Sequence, residues 1–524
     1  MIDLFDCIPT QERNHELFAR FIRNNTEIKG QLFTTIEKID GFGNVQALAQ
    51  KYNDRLWSGH KDQSKLVIEN GQIFINKYKD DTCFIINELK SLSSSGIKNY
   101  SNSVADWFSK TNYLIDCDEK KLALQQMFEN SHVAIIYGSA GTGKSTLINH
   151  VAHLFAYKKK MFLSHTNPAV DNLRRRVIAS NCTFLTISKF LQQDNIDRNY
   201  DLLVIDECST VSNNDMREIL EKAHFHLMLL VGDMHQINSI RFGNWFSAAR
   251  KFIPTTSVFE LTTPFRSNNE HLKLLWNRVR NMDDTVLELI AHQRYSTTLD
   301  ASIFDNTEDD EIILCLNYDG LYGINNINRF LQESNPNKPV QWGIQQYKIG
   351  DPILFNDSDR FAPAIYNNMK GKIVGIKLGN PNNVMEYIQF DIKLDKVINE
   401  MDADECGFEL LDNTPGKNSV IRFKVFKNKS ADDDDERSSK SVIPFQIAYA
   451  VSIHKAQGLE YRSVKIVITN EVDELITHNI FYTAITRARK KLKIYWTPEV
   501  ENKVLSNIRP KNINRDIELL KKYI

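Results

Sequence analysis

Gly138-Ser139-Ala140-Gly141-Thr142-Gly143-Lys144-Ser145 is the stretch on which the fold turns. It has the spacing G-x-x-x-x-G-K-[ST], follows the apolar run Val133–Tyr137 and opens a helix-patterned stretch, Thr146–Phe155. Strand, glycine-rich turn and helix in that order make a phosphate-binding loop. The glycines let the backbone curl until several N–H groups face one anion, and the helix N-terminus adds its partial positive charge. Lys144 is placed to neutralise β- and γ-phosphates and Ser145 to hold Mg²⁺, with Thr146 completing the run.

Two further strands end in polar groups. Leu202-Leu203-Val204-Ile205-Asp206-Glu207 is an apolar strand closing on two acids, Asp206 suited to Mg²⁺ and Glu207 to polarising an attacking water. Leu229-Leu230-Val231-Gly232-Asp233-Met234-His235-Gln236 repeats the logic, and the Gln236 amide offers a donor and an acceptor to a γ-phosphate or its water. With Lys160–Ser164 and Thr183–Leu185 these strands alternate with helices, which predicts a parallel sheet with crossover helices over 116–256. Ligands bind at the carboxyl edge of such sheets.

A second α/β segment is expected over 257–344 and 441–524. It holds the strand Ile312–Leu316, the helix Ile324–Gln332, a resumption at Phe445, the strand Lys493–Trp496 and a terminal helix near Asp516–Tyr523. Between its halves, 345–440 changes to short strands separated by turn residues: Pro352–Phe355, Lys372–Ile376, Tyr387–Ile392 and Val420–Val425. That pattern predicts a small antiparallel barrel. The acidic run Asp432–Asp435 reads as a solvated loop near its end. Residues 1–112 form a mixed α/β accessory region. Leu66–Ile75 contains Asn70-Gly71 between two β-prone runs, a type I′ hairpin signal, and the Ser-rich Ser91–Ser103 reads as a linker.

Sixty-five Lys and Arg against 66 Asp and Glu give a formal charge of −1, so any phosphate-binding surface must be a local groove. The seven cysteines are scattered, with no CxxC pair and no adjacent His cluster, which rules out the usual zinc-finger spacings and gives no disulfide framework. The N-terminal stretch does not read as a secretory leader and no apolar run reaches membrane length, so a soluble cytoplasmic protein is expected.

Four more strings follow in order: Ser164-His165-Thr166-Asn167-Pro168-Ala169-Val170-Asp171-Asn172-Leu173, Leu261-Thr262-Thr263-Pro264-Phe265-Arg266-Ser267, Ser452-Ile453-His454-Lys455-Ala456-Gln457-Gly458-Leu459-Glu460 and Tyr482-Thr483-Ala484-Ile485-Thr486-Arg487-Ala488-Arg489. With the three motifs above, the set resembles motifs I to VI of the superfamily 1 helicases over about Asp116 to Trp496. The first string and the late barrel are similar to the RecD2/Upf1-like branch, and Tyr347–Leu354 with Asn368–Gly375 to its SH3-like insert. The resemblance implies two RecA-like domains, ATP and Mg²⁺ as cofactors, and 5′→3′ movement on a single strand with unwinding of duplexes. DNA is expected above RNA, although the strand contacts go to phosphate and sugar and do not themselves separate the two.

It also implies residue roles. Arg266 and Arg487 would reach the γ-phosphate from the second RecA-like domain, while Arg489 is as readily a structural ion-pair partner. Gln457, Gly458 and Glu460 would line the nucleotide site, and His165, Thr166, Asn167, Thr186, Ser188 and Ser452 would contact the strand without reading sequence. The glutamine that related motors place before the phosphate loop has no clean match: Lys121 aligns there, with Gln125 and Gln126 a turn beyond. The intervals Leu147–Phe162 and Leu173–Asp201 are too short for a separate domain 1B, so a strand-separating pin must come from elsewhere, the Asn70-Gly71 hairpin being one candidate. The competing reading is a P-loop switch or sensor subunit that moves no strand. In either case residues 1–112 are a candidate docking region for a protein partner.

Overall fold

Asn70 and Gly71 take φ values of 51° and 70°, the left-handed pair that a two-residue I′ turn requires. They join β2 (Leu66–Glu69) to β3 (Gln72–Ile75), and β1 (Thr34–Thr35) adds to β3 as a third antiparallel strand. The structure, a computed structural model, describes residues 13–524 except 60, 112–113, 194–196, 238, 240, 266, 306–309, 358–359, 363, 380–385, 399–405, 413–417, 428–440, 473–474 and 509–513. Arg266 and the Asp432–Asp435 run therefore lie outside the described residues. The chain divides into two units, one of Met1–Phe265 with Pro510–Ile524 and one of Arg266–Arg509.

The first unit is organised by a six-stranded parallel sheet: β4 (Val133–Gly138), β5 (Lys160–Ser164), β6 (Cys182–Thr186), β7 (Asn199–Ile205), β8 (His224–Gly232) and β9 (Val258–Leu261), in the order β6-β5-β7-β8-β4-β9. Successive side chains of a strand face opposite ways. Accordingly Val133, Ile135 and Tyr137 enter one apolar core and Ala134 and Ile136 the other. Both cores reach into the accessory region. Ile85, Ile86 and Leu89 of the helix Asn76–Leu92 join the first, and Tyr100 and Val104 of the helix Tyr100–Lys110 join the second.

Three expectations change here. The Ser-rich linker shrinks to the few residues between those two helices, because apolar residues spaced along each side of it find the sheet. The strand at Phe259 is β9, paired with the phosphate-loop strand β4, which moves the domain boundary from 256 to 265. The terminal helix, Asn514–Leu520, belongs to the first unit and not the second. Its buried Asp516 accepts the backbone N–H groups of Leu32 (2.8 Å) and Phe33 (3.3 Å), and Leu520 packs with Phe33 and Phe74.

The second unit contains a parallel sheet of β10 (Ser296–Thr297), β11 (Glu311–Cys315), β20 (Ala450–Ser452), β21 (Tyr461–Val467) and β22 (Ala488–Tyr495), ordered β10-β22-β21-β11-β20. Between β11 and β20 come a hairpin, β12 (Val340–Trp342) and β13 (Gln345–Tyr347), and six antiparallel strands. These are β14 (Pro352–Phe355), β15 (Lys370–Leu378), β16 (Tyr387–Leu394), β17 (Glu409–Asp412), β18 (Val420–Phe426) and β19 (Phe445–Ile447), ordered β17-β18-β16-β15-β14-β19 around a core of their own. The inserted sheet thus runs to Ile447, past the expected limit of 440, because Phe355 pairs with Phe445 and Ile353 with Ile447. Among the described residues no helix is long and apolar enough to cross a membrane.

Candidate nucleotide and strand-binding site

The phosphate loop leaves β4, whose residues are all buried, and ends in the helix Lys144–Leu154. Gly141 and Gly143 hold φ values of 81° and 78°, a conformation that side chains disfavour. A Cβ on Gly138 would stand 2.6 Å from Thr142 Oγ1, so this glycine is required by close packing within the loop. Lys144 Nζ donates to the carbonyls of Gly138 (2.9 Å) and Ser139 (3.1 Å), which holds the ammonium over the loop. Thr142 Oγ1 donates to Ser139 O at 2.9 Å and fixes the curl.

The central strand β8 separates β4 from β7, so the phosphate loop, Asp206-Glu207 and Asp233–Gln236 all leave one carboxyl edge from adjacent strands. Asp206 is buried and accepts the backbone N–H of Glu207 at 2.9 Å. Burial, then the neighbouring Glu207 charge, push its pKa up to about 7 against the attraction of Lys144. Glu207 sits at φ 56°, a left-handed conformation for a residue with a side chain, and its Oε2 is buried without a hydrogen-bond partner. Gln236 is nearly buried, with Nε2 3.4 Å from Asp233 Oδ2. A buried acid with a raised pKa beside an orphaned carboxylate oxygen suits a cation and its water, and Ser145 opens the helix on the same edge.

The strand candidates flank this edge. Ser164 at the end of β5 is in register with Thr186 at the end of β6. Thr166 caps the helix Asn167–Arg176 through Ala169 N (3.4 Å), and Thr186 caps Ile187–Gln192 through Lys189 N (3.3 Å). Each hydroxyl therefore has a structural task, while Ser188 is exposed and Asn167 half-exposed. His165 is half-buried, its Nδ1 has no partner, and burial lowers its pKa.

In the second unit Arg487 is buried. Its Nε donates to Thr483 O (3.0 Å), Nη1 to Leu459 O (3.1 Å) and Nη2 lies 3.4 Å from Thr486 Oγ1. The bond to Leu459 O ties it to the loop of Gln457, Gly458 (φ 78°) and Glu460. Lys370 Nζ donates to Glu460 O at 2.8 Å and lies 3.7 Å from the Tyr461 ring centroid. Ser452 Oγ, at the end of β20, accepts the N–H of Lys455 at 3.2 Å. Arg489 is ion-paired with Asp310 at 2.6 Å, the structural alternative drawn for it from sequence.

Comparison with known proteins adds to this geometry. A family profile for an AAA domain matches 118–298, and one for a UvrD-like helicase C-terminal domain matches 447–495. The chain is 23% identical to the RecBCD enzyme subunit RecD of Buchnera aphidicola over 253 residues, 48% of this chain and 33% of that protein. It thus spans a third of that relative's length. With the ATP-dependent DNA helicase Pif1 of Campylobacter jejuni it shares 23% identity over 450 residues, 74% of this chain and 92% of the other. The solved Pif1 helicase of Candida albicans covers 78% of this chain at 17% identity and a TM-score of 0.47. Both profiles fall on stretches that carry the strings resembling superfamily 1 helicases, and the relatives named RecD and Pif1 are what this chain is similar to.

Against that superfamily 1 pattern, the residues before the phosphate loop are distinctive. Lys121, aligned with the expected glutamine, is exposed and lies 5.8 Å from the Phe108 ring centroid. Its neighbour Lys120, which the sequence reading passed over, is fully buried against the loop. Lys120 Nζ pairs with the Asp116 carboxylate, stands 4.7 Å from the Phe265 ring centroid and would meet a Cβ on Gly143 at 2.5 Å. His150 Nε2, from the helix after the loop, is 3.3 Å from Asp116 Oδ1. Burial raises the Asp116 pKa, but the Lys120 and His150 hydrogen bonds outweigh it and the net shift is downward. Glu119 takes the Thr262 N–H at 3.1 Å and Phe265 N donates to Gly141 O at 2.7 Å, so the segment before Arg266 is tied to the phosphate loop. The only advance signal was a run of charges, Asp116 to Lys121, ahead of the loop.

Proposed function

We propose that this chain is a nucleic-acid-dependent ATPase that moves 5′→3′ along single strands, DNA above RNA, and separates duplexes. The observation that carries this is the shared carboxyl edge of the first sheet. Nucleotide-type residues leave β4, β7 and β8, and candidate strand contacts leave the adjoining β5 and β6. A switch has no need of the second set.

In this reading Lys144 and the loop N–H groups from Gly138 to Thr146 hold the triphosphate, and Ser145 and Asp206 hold Mg²⁺. The ion would offset phosphate charge. Glu207 orients the attacking water, Gln236 senses the γ-phosphate, and Arg266 and Arg487 stabilise charge that develops in the transition state. Gln457, Gly458 and Glu460 complete the nucleotide site. Lys120, held by Asp116, is a positioning residue that keeps Gly143 in place. His165, Thr166, Asn167, Thr186, Ser188 and Ser452 grip the strand backbone. We assign the units to RecA-like domains 1A and 2A, and the inserted antiparallel sheet to an SH3-like 2B. Six described cysteines are free, in keeping with a cytoplasmic setting. Because residues 76–110, with Leu32, Phe33 and Phe74, serve cores of the first unit, a protein-docking role falls to the rest of 1–112.

The test is displacement of a labelled strand from partial duplexes. Displacement from a 5′ overhang and not from a 3′ overhang is expected. Displacement from neither, with ATP hydrolysed normally, would favour the switch.

A further inference from the structure

We propose that the hairpin β12–β13 is the wedge that parts a duplex, with Ile344 inserted at the fork. This rests on the motor reading above. The hairpin has a two-residue loop, since Trp342 pairs with Gln345. Gly343, at φ 62°, takes the first central position, as in a type II′ turn, and Ile344 the second. Such positions normally carry glycine or short polar residues. Here the tip is a β-branched apolar side chain that is 99% exposed. Single exposed apolar residues are common on protein surfaces and carry little meaning alone. The mounting of this one gives it meaning.

The hairpin is stiff at its base. Tyr347, the last residue of β13, is buried edge-on against Phe390 and Phe445, with ring centroids 5.2 and 5.8 Å away. Just beyond it, the fully buried Asp351 collects four donors: Gln332 Nε2 (2.6 Å), Asn335 Nδ2 (2.7 Å), Tyr449 Oη (2.8 Å) and Lys348 N (2.9 Å). Gln332 also donates to Gln346 O at 2.9 Å, and Lys348 Nζ donates to Asn335 O at 2.7 Å. Pro336 and Pro339 restrict the entering strand. The same carboxylate therefore joins the hairpin to the helix Ile324–Ser334 and, through Tyr449, to β20, which ends at the strand-contact candidate Ser452. A fork drawn along that contact would press on a rigid apolar tip. Proteins part stacked bases by inserting such side chains, isoleucine among them.

The other hairpin lacks these features. Its Asn70-Gly71 tip is polar, Gly71 O accepts Ile36 N at 3.1 Å, and β3 is buried in the accessory core. It is a structural hairpin.

The experiment compares wild type, Ile344→Ser and Ile344→Leu in two assays: ATP hydrolysis stimulated by single-stranded DNA, and displacement from a forked duplex with a 5′ tail. Ile344→Ser is expected to slow displacement by about tenfold or more, the effect of one lost unstacking contact, with stimulated hydrolysis within about twofold of wild type. Ile344→Leu should restore displacement. Displacement by Ile344→Ser at the wild-type rate would overturn the wedge. So would a parallel fall in hydrolysis, which would place Ile344 in the ATP cycle. If wild-type hydrolysis ignores the single strand and no fork opens, the motor reading has failed and the wedge falls with it.

Discussion

Glu207 follows the carboxyl end of β7 and Arg487 precedes the amino end of β22; each is an expected participant in hydrolysis, yet their surroundings are opposite. Glu207 keeps a buried oxygen without a partner on a backbone in the left-handed region. Strain and an unmet polar group each cost on the order of 1–3 kcal/mol, and a fold retains such costs where a ligand relieves them. The Arg487 guanidinium is instead engaged by carbonyls of its own unit. One edge is built in advance for its chemistry. The other grips its arginine, so its contribution to a phosphate requires either an exchange of partners or action from where it is held.

The largest expected effect lies on the prebuilt side. Glu207→Gln should retain ATP while turnover falls by about 10³-fold or more, and Lys144→Ala should lose both, because one group acts in the transition state and the other also binds. Filter binding of ATP beside single-turnover hydrolysis checks it; near-normal turnover in Glu207→Gln would remove the contrast.

Arg487→Ala and Arg266→Ala should each cut strand-stimulated hydrolysis by about 10²–10⁴-fold. For Arg487 the gripped state adds a second signature. Losing its charge-assisted bonds to Thr483 and Leu459 should destabilise the fold by about 1.5–3 kcal/mol, read by denaturant unfolding. A stability loss without a catalytic one would make Arg487 a structural residue.

Gly143→Ala forces a side chain onto φ 78° and into Lys120, and should weaken nucleotide binding by about tenfold, a cost near 1–2 kcal/mol. Unchanged affinity in calorimetry would show that Lys120 does not hold the loop. The smallest effect concerns Thr166→Ala, expected to raise the DNA concentration for half-maximal stimulation several-fold and to lose about 1 kcal/mol through the helix cap. An unchanged titration would take Thr166 out of the strand site.

What could be read from sequence follows from where the information lies. In the first sheet β4, β5, β7 and β8 were legible because each is an apolar run ending in a chemically specific string, as Val133–Tyr137 does at Gly138 and Leu202–Ile205 at Asp206. The same holds for the Asn70-Gly71 turn, where local backbone demands decide the residues. Less legible were elements defined by distant partners. β9 looks like any short strand until β4 is known to be beside it, and the terminal helix declares its unit only through Asp516 and the amides of Leu32 and Phe33. Lys120 was missed for the same reason. A lysine reads as surface unless Asp116 and the loop that covers it are seen together. The engagement of Arg487 by carbonyl groups has no signature in side-chain pattern at all.

The central claim is that nucleotide chemistry and strand contact share one sheet edge and are therefore coupled. Steady-state ATP hydrolysis, measured without nucleic acid and with single-stranded DNA or RNA of equal length, tests it most directly. The account predicts a strong rise with DNA, a smaller one with RNA, and strand affinity falling with salt at a logarithmic slope of about −0.7 per phosphate contacted. A rate indifferent to both strands at every salt concentration would contradict it.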